Sequence, residues 1–381
     1  MNSLFWYPPA ETRISARSIV DALLGKNDDF EKDLCSYLDV ESCILGNSGR
    51  ALMTLLLRTL KKADTDNRDE VLIPAYTCYS VAASVVKAGL KISVYDLDPQ
   101  TLRPDRDSLK RAAGGKTLAI VYQHLFGIPQ PREDFQDIAI ELGIPLIEDA
   151  AQGLGGFLNS QPLGGMGDFS IFSFGRGKPL PIGTGGALAG KKQTLNAVPI
   201  LSSAKGQGLL VLSMAVQALS HPLFYGIMEK LPLGLGKTVF DPGFAISGMP
   251  AAMKRLAKSS FAGMESLNVH RRTIAGTYQA RLDRIRIVKV QDGSVPVYTR
   301  FPFFAGPKAV SSQLYRLGVR RMYPEAITEE PVIKTYLANP GQPVPGAKQI
   351  AKNLITLPTH SRTTLSIARR ITEVLQEEYH C

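Results

Sequence analysis

Ile144-Pro-Leu-Ile-Glu-Asp-Ala-Ala-Gln152 is a short apolar run that stops on two adjacent carboxylates. A run of that length, with turn residues on both sides, reads as a buried strand whose carboxyl end carries Glu148 and Asp149. The same rhythm continues on either side. Upstream lie a helical pattern over Phe135 to Leu142 and the strands Leu118-Ala-Ile-Val-Tyr and Lys91-Ile-Ser-Val-Tyr-Asp. Before them, Val71-Leu-Ile-Pro opens a unit whose helix spans Ser80 to Ala88, and downstream comes the strand Asp168-Phe-Ser-Ile-Phe-Ser-Phe. Strands alternating with helices predict an α/β fold, with a mostly parallel central sheet sandwiched by helices. Ligands of such sheets sit beyond the carboxyl ends of the strands, which sets Asp96, His124, Asp149 and Ser173 along one functional edge.

Composition narrows the classes. Hydrophobic residues make up 44% of the 381 and charged residues 20%, which excludes a disordered or collagen-like chain. Lysine and arginine exceed the acids by 44 − 34 = 10, so the surface suits anionic partners such as phosphorylated metabolites. No basic stripe interleaved with aromatics is present, and nucleic-acid binding is not expected. The four cysteines, Cys35, Cys43, Cys78 and Cys381, have neither a disulfide framework nor zinc spacing, and no metal is expected. The start MNSLFWYPPAETR lacks the plan of a secretory signal, so the cytoplasm is the expected location.

Three regions follow: an N-terminal arm and helix over 1–40, a large domain over 41–240, and a smaller α+β C-terminal domain over 241–381. Residues 206–228 contain no Asp, Glu, Lys or Arg. Gln207, Ser213, Gln217 and Pro222 within that stretch argue for a buried or interfacial helical excursion, about 202–238, over a bilayer span. Gly234, Gly236 and Pro242 mark a linker. Ala252 to Leu282 predicts one long helix with Arg271, Arg272 and Arg281 at its polar positions, and Ser294-Val-Pro-Val-Tyr and Leu354-Ile-Thr-Leu-Pro read as strands.

Three pieces carry chemistry, each with two readings. Asn47-Ser-Gly-Arg-Ala-Leu leads into a helical run, so Ser48 or Asn47 caps that helix, or its first amides hold a phosphate. Glu148 and Asp149 cap a following helix, or one of them holds a protonated ring nitrogen, since a buried carboxylate is costly without a cation. Phe172-Ser-Phe-Gly-Arg-Gly-Lys178 lacks P-loop spacing. Its lysine is then a generic phosphate binder, or an amine that forms a Schiff base, with Ser173 and local amides at the phosphate.

These pieces resemble, in this order, the DegT/DnrJ/EryC1/StrS family of sugar aminotransferases. The resemblance runs through SGRAL, VLIPAYTCYSVAASVVKAGLKISVYDLDPQTL, YQHLFG, PLIEDAAQGLGG, GGMGDFSIFSFGRGK and GTGGAL, and returns in ITLPTH. It implies pyridoxal 5′-phosphate (PLP) as cofactor on the PLP-dependent transferase fold type I, and a homodimer. It makes Lys178 the lysine that condenses with the cofactor and Asp149 the partner of the ring nitrogen, the two catalytic residues. Gln152 would meet the ring hydroxyl oxygen; Ser173 with the amides of Gly49 and Arg50 would hold the phosphate. The implied reaction moves an amino group from L-glutamate to a nucleotide-linked keto sugar, for a polysaccharide or glycoconjugate. A keto-cyclitol acceptor is the alternative, and a non-catalytic regulatory protein docked to membrane through 206–228 a third reading. Dehydratases of the family carry histidine in place of the lysine.

The chain departs from the family in two places. Cys78 stands where members commonly carry an aromatic residue against the cofactor ring, leaving Tyr76, Tyr79 or the thiol for that contact, or a bulk-preserving packing role for Cys78. The family's Asn-x-Arg segment is replaced by Pro242-Gly-Phe-Ala-Ile-Ser-Gly-Met, so either the phosphate is held without it or Arg176 or another basic residue compensates. His124 is read either as a satisfied core histidine or as a wall of the cofactor or sugar site, and Tyr76 and Arg321 as substrate contacts.

Overall fold

The computed structural model describes residues 5–26, 29–199, 202–203, 206–230 and 239–379. Gly234, Gly236, Cys381 and part of the 202–238 excursion lie outside the described residues.

Twelve strands are described: β1 (Ser42–Gly46), β2 (Glu70–Pro74), β3 (Lys91–Tyr95), β4 (Thr117–Gln123), β5 (Leu146–Asp149), β6 (Phe157–Leu158), β7 (Gln161–Pro162), β8 (Phe169–Ser173), β9 (Gly186–Gly190), β10 (Ser294–Val295), β11 (Arg300–Phe304) and β12 (Leu354–Pro358). Seven form the central sheet in the order β1-β9-β8-β5-β4-β2-β3. Its pairs from β3 to β8 are parallel, and β9 alone runs against its neighbours β8 and β1. Every residue of β4 is buried, as a parallel strand covered on both faces requires.

The reversed strand depends on a glycine. A Cβ at Gly186 would stand 2.5 Å from the Phe172 carbonyl oxygen and would also strike the Gly49 nitrogen. Only a bare backbone lets β9, β8 and the start of the helix Gly49–Ala63 meet there, which is the physical content of the GTGGAL motif. That helix is capped by Ser48, whose Oγ accepts the Ala51 N–H at 3.3 Å, and it ends on Lys61 and Lys62, favourable to its dipole. Asn47 instead pins the segment 245–247, donating to Ala245 O at 3.0 Å.

The C-terminal part pairs β11 with β12 and packs the helices Met264–Arg281 and Leu365–Tyr379 on one another. Several expectations fail here. The single helix expected over 252–282 is two, Ala251–Phe261 and Met264–Arg281, broken at Ala262-Gly263, where glycine is a poor helix former. Arg271 is not at a solvent position; it is 1% exposed. In the run read as a strand, only Ser294–Val295 pairs, and the longer strand Arg300–Phe304 comes later, buried from Arg300 to Phe303. The uncharged stretch forms two helices, Gln207–Leu219 and Pro222–Lys230, with Pro222 at the first position of the second. No helix among the described residues is long and apolar enough to cross a membrane.

Candidate active site

Four strand or helix ends converge on one cavity of about 250 Å³. The end of β4 contributes Gln123, His124 and Leu125; the end of β5 contributes Asp149, Ala151 and Gln152; the end of β8 contributes Ser173, and the turn after it Lys178. The helix start adds Ser48, Gly49 and Arg50, and the loop after β2 adds Thr77 and Cys78. The cavity therefore lies beyond the carboxyl ends of the parallel strands, where that architecture puts a ligand.

Lys178 and Asp149 thus face the same space. Burial pushes the Asp149 carboxyl above the usual carboxylate range, while the Lys178 ammonium and the Ala151 amide, donating at 3.1 Å, pull it back. Among the described residues that amide is its only hydrogen-bond partner, so Asp149 still has capacity for a cation. Gln152 lines the cavity and its Oε1 accepts from Thr299 Oγ1 at 2.8 Å, which leaves its amide nitrogen, a donor, for a ligand. The HLFG turn makes this possible: Phe126 and Gly127 both have positive φ, and a Cβ at Gly127 would stand 2.6 Å from Gln152 O.

Glu148 does not cap a helix. It is fully buried and accepts from His124 Nε2 at 2.7 Å, Gly167 N at 2.8 Å, Met166 N at 3.0 Å, Ser170 Oγ at 3.2 Å and Gly164 N. Gln130 N donates to His124 Nδ1 at 3.0 Å, so the ring proton sits on Nε2 and His124 is a neutral donor to Glu148. Both its nitrogens are committed, and His124 meets the cavity as a satisfied ring. Burial alone would raise Glu148, but the His124 bond and the Gly164 and Gly167 amides outweigh it and hold the carboxyl below its ordinary value of 4.5. A depressed carboxyl stabilises the fold above its unfolded pKa and stops doing so as pH falls through the folded one. Glu148→Gln therefore costs about 3 kcal/mol at neutral pH. Its thermal unfolding approaches that of the wild type below pH 4.5, and a constant offset across pH would disprove the account.

The other expected site residues are placed elsewhere. Asp96 leaves the functional edge to cap the helix Pro345–Asn353, accepting Gly346 N at 2.8 Å and Ala347 N at 2.7 Å. Tyr76 is buried, its hydroxyl on Met322 O at 2.9 Å, and Tyr79 OH reaches Glu325 O, so neither ring lines the cavity. Arg321 donates to the carbonyls of Ala351, Lys352, Leu354, Gly306 and Lys308, away from the cavity. Arg176 meets Tyr225 instead of the phosphate end. Cys78 does line the cavity and accepts from Ser80 Oγ at 2.9 Å. Sequence reasoning missed Gln123, Thr77 and Thr299; the PxxT threonine was visible, while Thr299 has no signal beside its motif.

The residues fit a phosphorylated pyridine aldehyde. Among the described residues Thr77 Oγ1, buried at the cavity, has no hydrogen-bond partner. Gly49, where a Cβ would stand 2.7 Å from Phe172 O, sits at the capped helix start, an anion cradle beside Ser173. Amine, carboxylate and anion cradle are the three features such a group needs.

The profile of the DegT/DnrJ/EryC1/StrS aminotransferase family matches residues 22–376. GDP-perosamine synthase of Vibrio cholerae is 28% identical over 159 residues, 42% of this chain and 42% of that protein. L-glutamine:2-deoxy-scyllo-inosose aminotransferase of Streptoalloteichus tenebrarius is 31% identical over 158 residues, 42% of this chain and 37% of that protein. The aligned stretch thus spans less than half the length of either relative. The solved GDP-4-keto-6-deoxy-D-mannose-3-dehydratase of E. coli, with bound hydrated PLP, has the same fold, with a TM-score of 0.75 at 18% identity over 98% of this chain and 100% of that one.

Proposed function

The chain belongs to the DegT/DnrJ/EryC1/StrS aminotransferase family, and from that premise we propose that it is a PLP-dependent aminotransferase moving an amino group from L-glutamate to a nucleotide-linked keto sugar. The observation that carries the reading is the sharing of one cavity by the Lys178 amine and the Asp149 carboxylate. The reaction serves polysaccharide or glycoconjugate biosynthesis in the cytoplasm, and the working unit is a homodimer.

When bound, PLP supplies an aldehyde that condenses with primary amines and a pyridinium ring that draws electrons from the neighbouring C–H bond. The chain does the rest. Ser173 Oγ, with the amides of Gly49 and Arg50, holds the phosphate at the helix start. The Asp149 carboxylate keeps the ring nitrogen protonated, and the Gln152 amide donates to the ring hydroxyl oxygen. Cys78 and Ala151 would pack on the ring, the thiol giving a thinner contact than an aromatic would. Lys178 Nζ would be the base that takes the proton from the donor α-carbon and later returns one to the acceptor carbon. Its place at the cavity wall, with no hydrogen-bond partner among the described residues, leaves it free to do so. A positioned group of this kind contributes about 10²–10⁴-fold.

The similarity to a deoxy-scyllo-inosose aminotransferase supports a second acceptor class, keto-cyclitols. The test is a half-reaction assay. Protein loaded with PLP and treated with L-glutamate loses its yellow band, and panels of keto-sugar nucleotides and keto-cyclitols are then scored for its return. Return with nucleotide sugars alone supports the main reading, and return with cyclitols alone replaces it. A band that L-glutamate leaves untouched removes glutamate as donor.

A further inference from the structure

Arg271 is the largest fully buried side chain with a charge that no carboxylate meets at hydrogen-bond distance among the described residues. Its guanidinium points at backbone. Nη2 donates to Lys178 O at 2.8 Å, and Nη1 donates to Pro179 O at 3.3 Å and to Asn268 Oδ1 at 2.7 Å. Asn268, fully buried one turn earlier on the same helix, donates its Nδ2 to Leu154 O at 3.2 Å. Leu154 lies in the loop that follows Asp149 and Gln152. Two side chains of one helix therefore clasp both walls of the cavity, the lysine turn and the carboxylate loop.

The lysine turn is held on its other side as well. Gly177 N donates to Glu11 O at 2.8 Å and Arg13 N to Pro181 O at 2.9 Å, so the N-terminal arm runs along it. Gly177 has φ +75°, and a Cβ there would stand 2.6 Å from Ala10 Cβ. Pro179 restricts the backbone of Lys178 further. Burial lowers the Arg271 guanidinium to about 10, a cost that nearby Glu11 only partly offsets. An apolar residue of similar volume would fill the space without that penalty, so packing does not account for a buried cation here. A rigid fork that fits two successive carbonyls does.

We propose that Arg271, braced by Asn268, is a positioning residue that fixes the Lys178 backbone and so aims its amine at the cavity. The proposal rests on the reading of Lys178 as the lysine that condenses with PLP. Freeing the Lys178 carbonyl lets the turn rotate, and an ångström of misplacement at a reacting amine costs up to about 10²-fold in rate. Arg271 bonds none of Gly49, Arg50 and Ser173, so the non-covalent contacts proposed for the phosphate would stay in place.

The test compares the wild type with Arg271→Met, Arg271→Lys and Asn268→Ala. Affinity for pyridoxamine 5′-phosphate, which has no aldehyde for Lys178, measures the cavity alone. The rate at which the yellow lysine-linked form appears after PLP is added measures the aim of the amine. Hydrogen exchange of residues 174–178 in cofactor-free protein measures the turn itself. Arg271→Met is expected to keep pyridoxamine phosphate affinity within about twofold, to link at least about tenfold more slowly, and to exchange faster in the turn. Arg271→Lys and Asn268→Ala are expected to fall between it and the wild type. Linking and exchange at wild-type rates in Arg271→Met, or an equal loss of pyridoxamine phosphate affinity, would overturn the proposal. Should Arg271→Met fail to fold, Arg271→Lys decides by the same readings. Borohydride reduction and peptide mapping of the wild type keep the two ideas apart, because reduction at another lysine defeats the premise, whereas reduction at Lys178 with unaffected variants defeats the brace.

Discussion

Lys178→Ala is expected to lower turnover by at least about 10⁴-fold while leaving a folded protein that still takes up PLP. On the proposed mechanism two functions would be lost at one atom: the amine that condenses with the aldehyde, and the base that moves the proton at the donor α-carbon. No neighbour replaces it. His124 has both ring nitrogens committed, to Glu148 and to the Gln130 amide. Cys78 is engaged by Ser80. The fold loses little, since the Lys178 ammonium has no hydrogen-bond partner among the described residues and the turn is held through its backbone, by Arg271 at Lys178 O. The variant should show the absorbance of free aldehyde and take no label on borohydride reduction. Turnover above about 1% of wild type with an unchanged spectrum would end the mechanism.

Asp149→Asn is expected to bind PLP nearly as well but to lose about 10²–10³-fold in the half-reaction with an amino donor, with donor KM little changed. The phosphate cradle and Lys178 are untouched, so affinity and covalent linkage persist. What changes is charge. Asparagine keeps the size and the Ala151 contact but cannot hold a proton on the ring nitrogen opposite it, and the ring loses its pull on the C–H bond. The cavity shows the cost: burial pushes Asp149 up, and the Lys178 ammonium foremost, with the Ala151 amide and His124, restrains it. A protonated ring nitrogen bound there would supply the missing cation. Stopped-flow traces at matched donor concentrations separate this from a folding defect, and an unchanged rate constant would show that Asp149 does not touch the ring.

The sheet was legible because its strands are continuous apolar runs, and only strands buried on both faces read that way; β2, β3, β4, β5 and β8 all lie within a residue or two of their expected positions. The site was legible where chemistry is written into neighbouring residues, so Asp149, Gln152, Ser173 and Lys178 reach one cavity as the motifs implied. Reading failed where tertiary contacts decide. Asp96 ends a strand like Asp149 does, yet a helix some 250 residues later takes both its oxygens. Arg271 has the spacing of a solvent position, and its burial follows from a turn nearly a hundred residues away in sequence. Thr299 holds Gln152 from a segment with no motif. Tyr76 and Arg321 were drawn to the site by residue type, and backbone carbonyls claim both.

Because β9 turns back alongside β8, with Ser173 opposite Gly186 and Phe174 N bonded to Gly185 O, the segment carrying the amine leaves and re-enters the sheet at a single point. Its two ends are sewn together, so the strand spacing does not depend on what hangs between them. Changes in that pendant can then leave the scaffold in register, whereas a one-residue slip along the seam would swing the serine hydroxyl to the opposite face and carry the lysine with it. Hydroxyl and amine are inherited together or lost together.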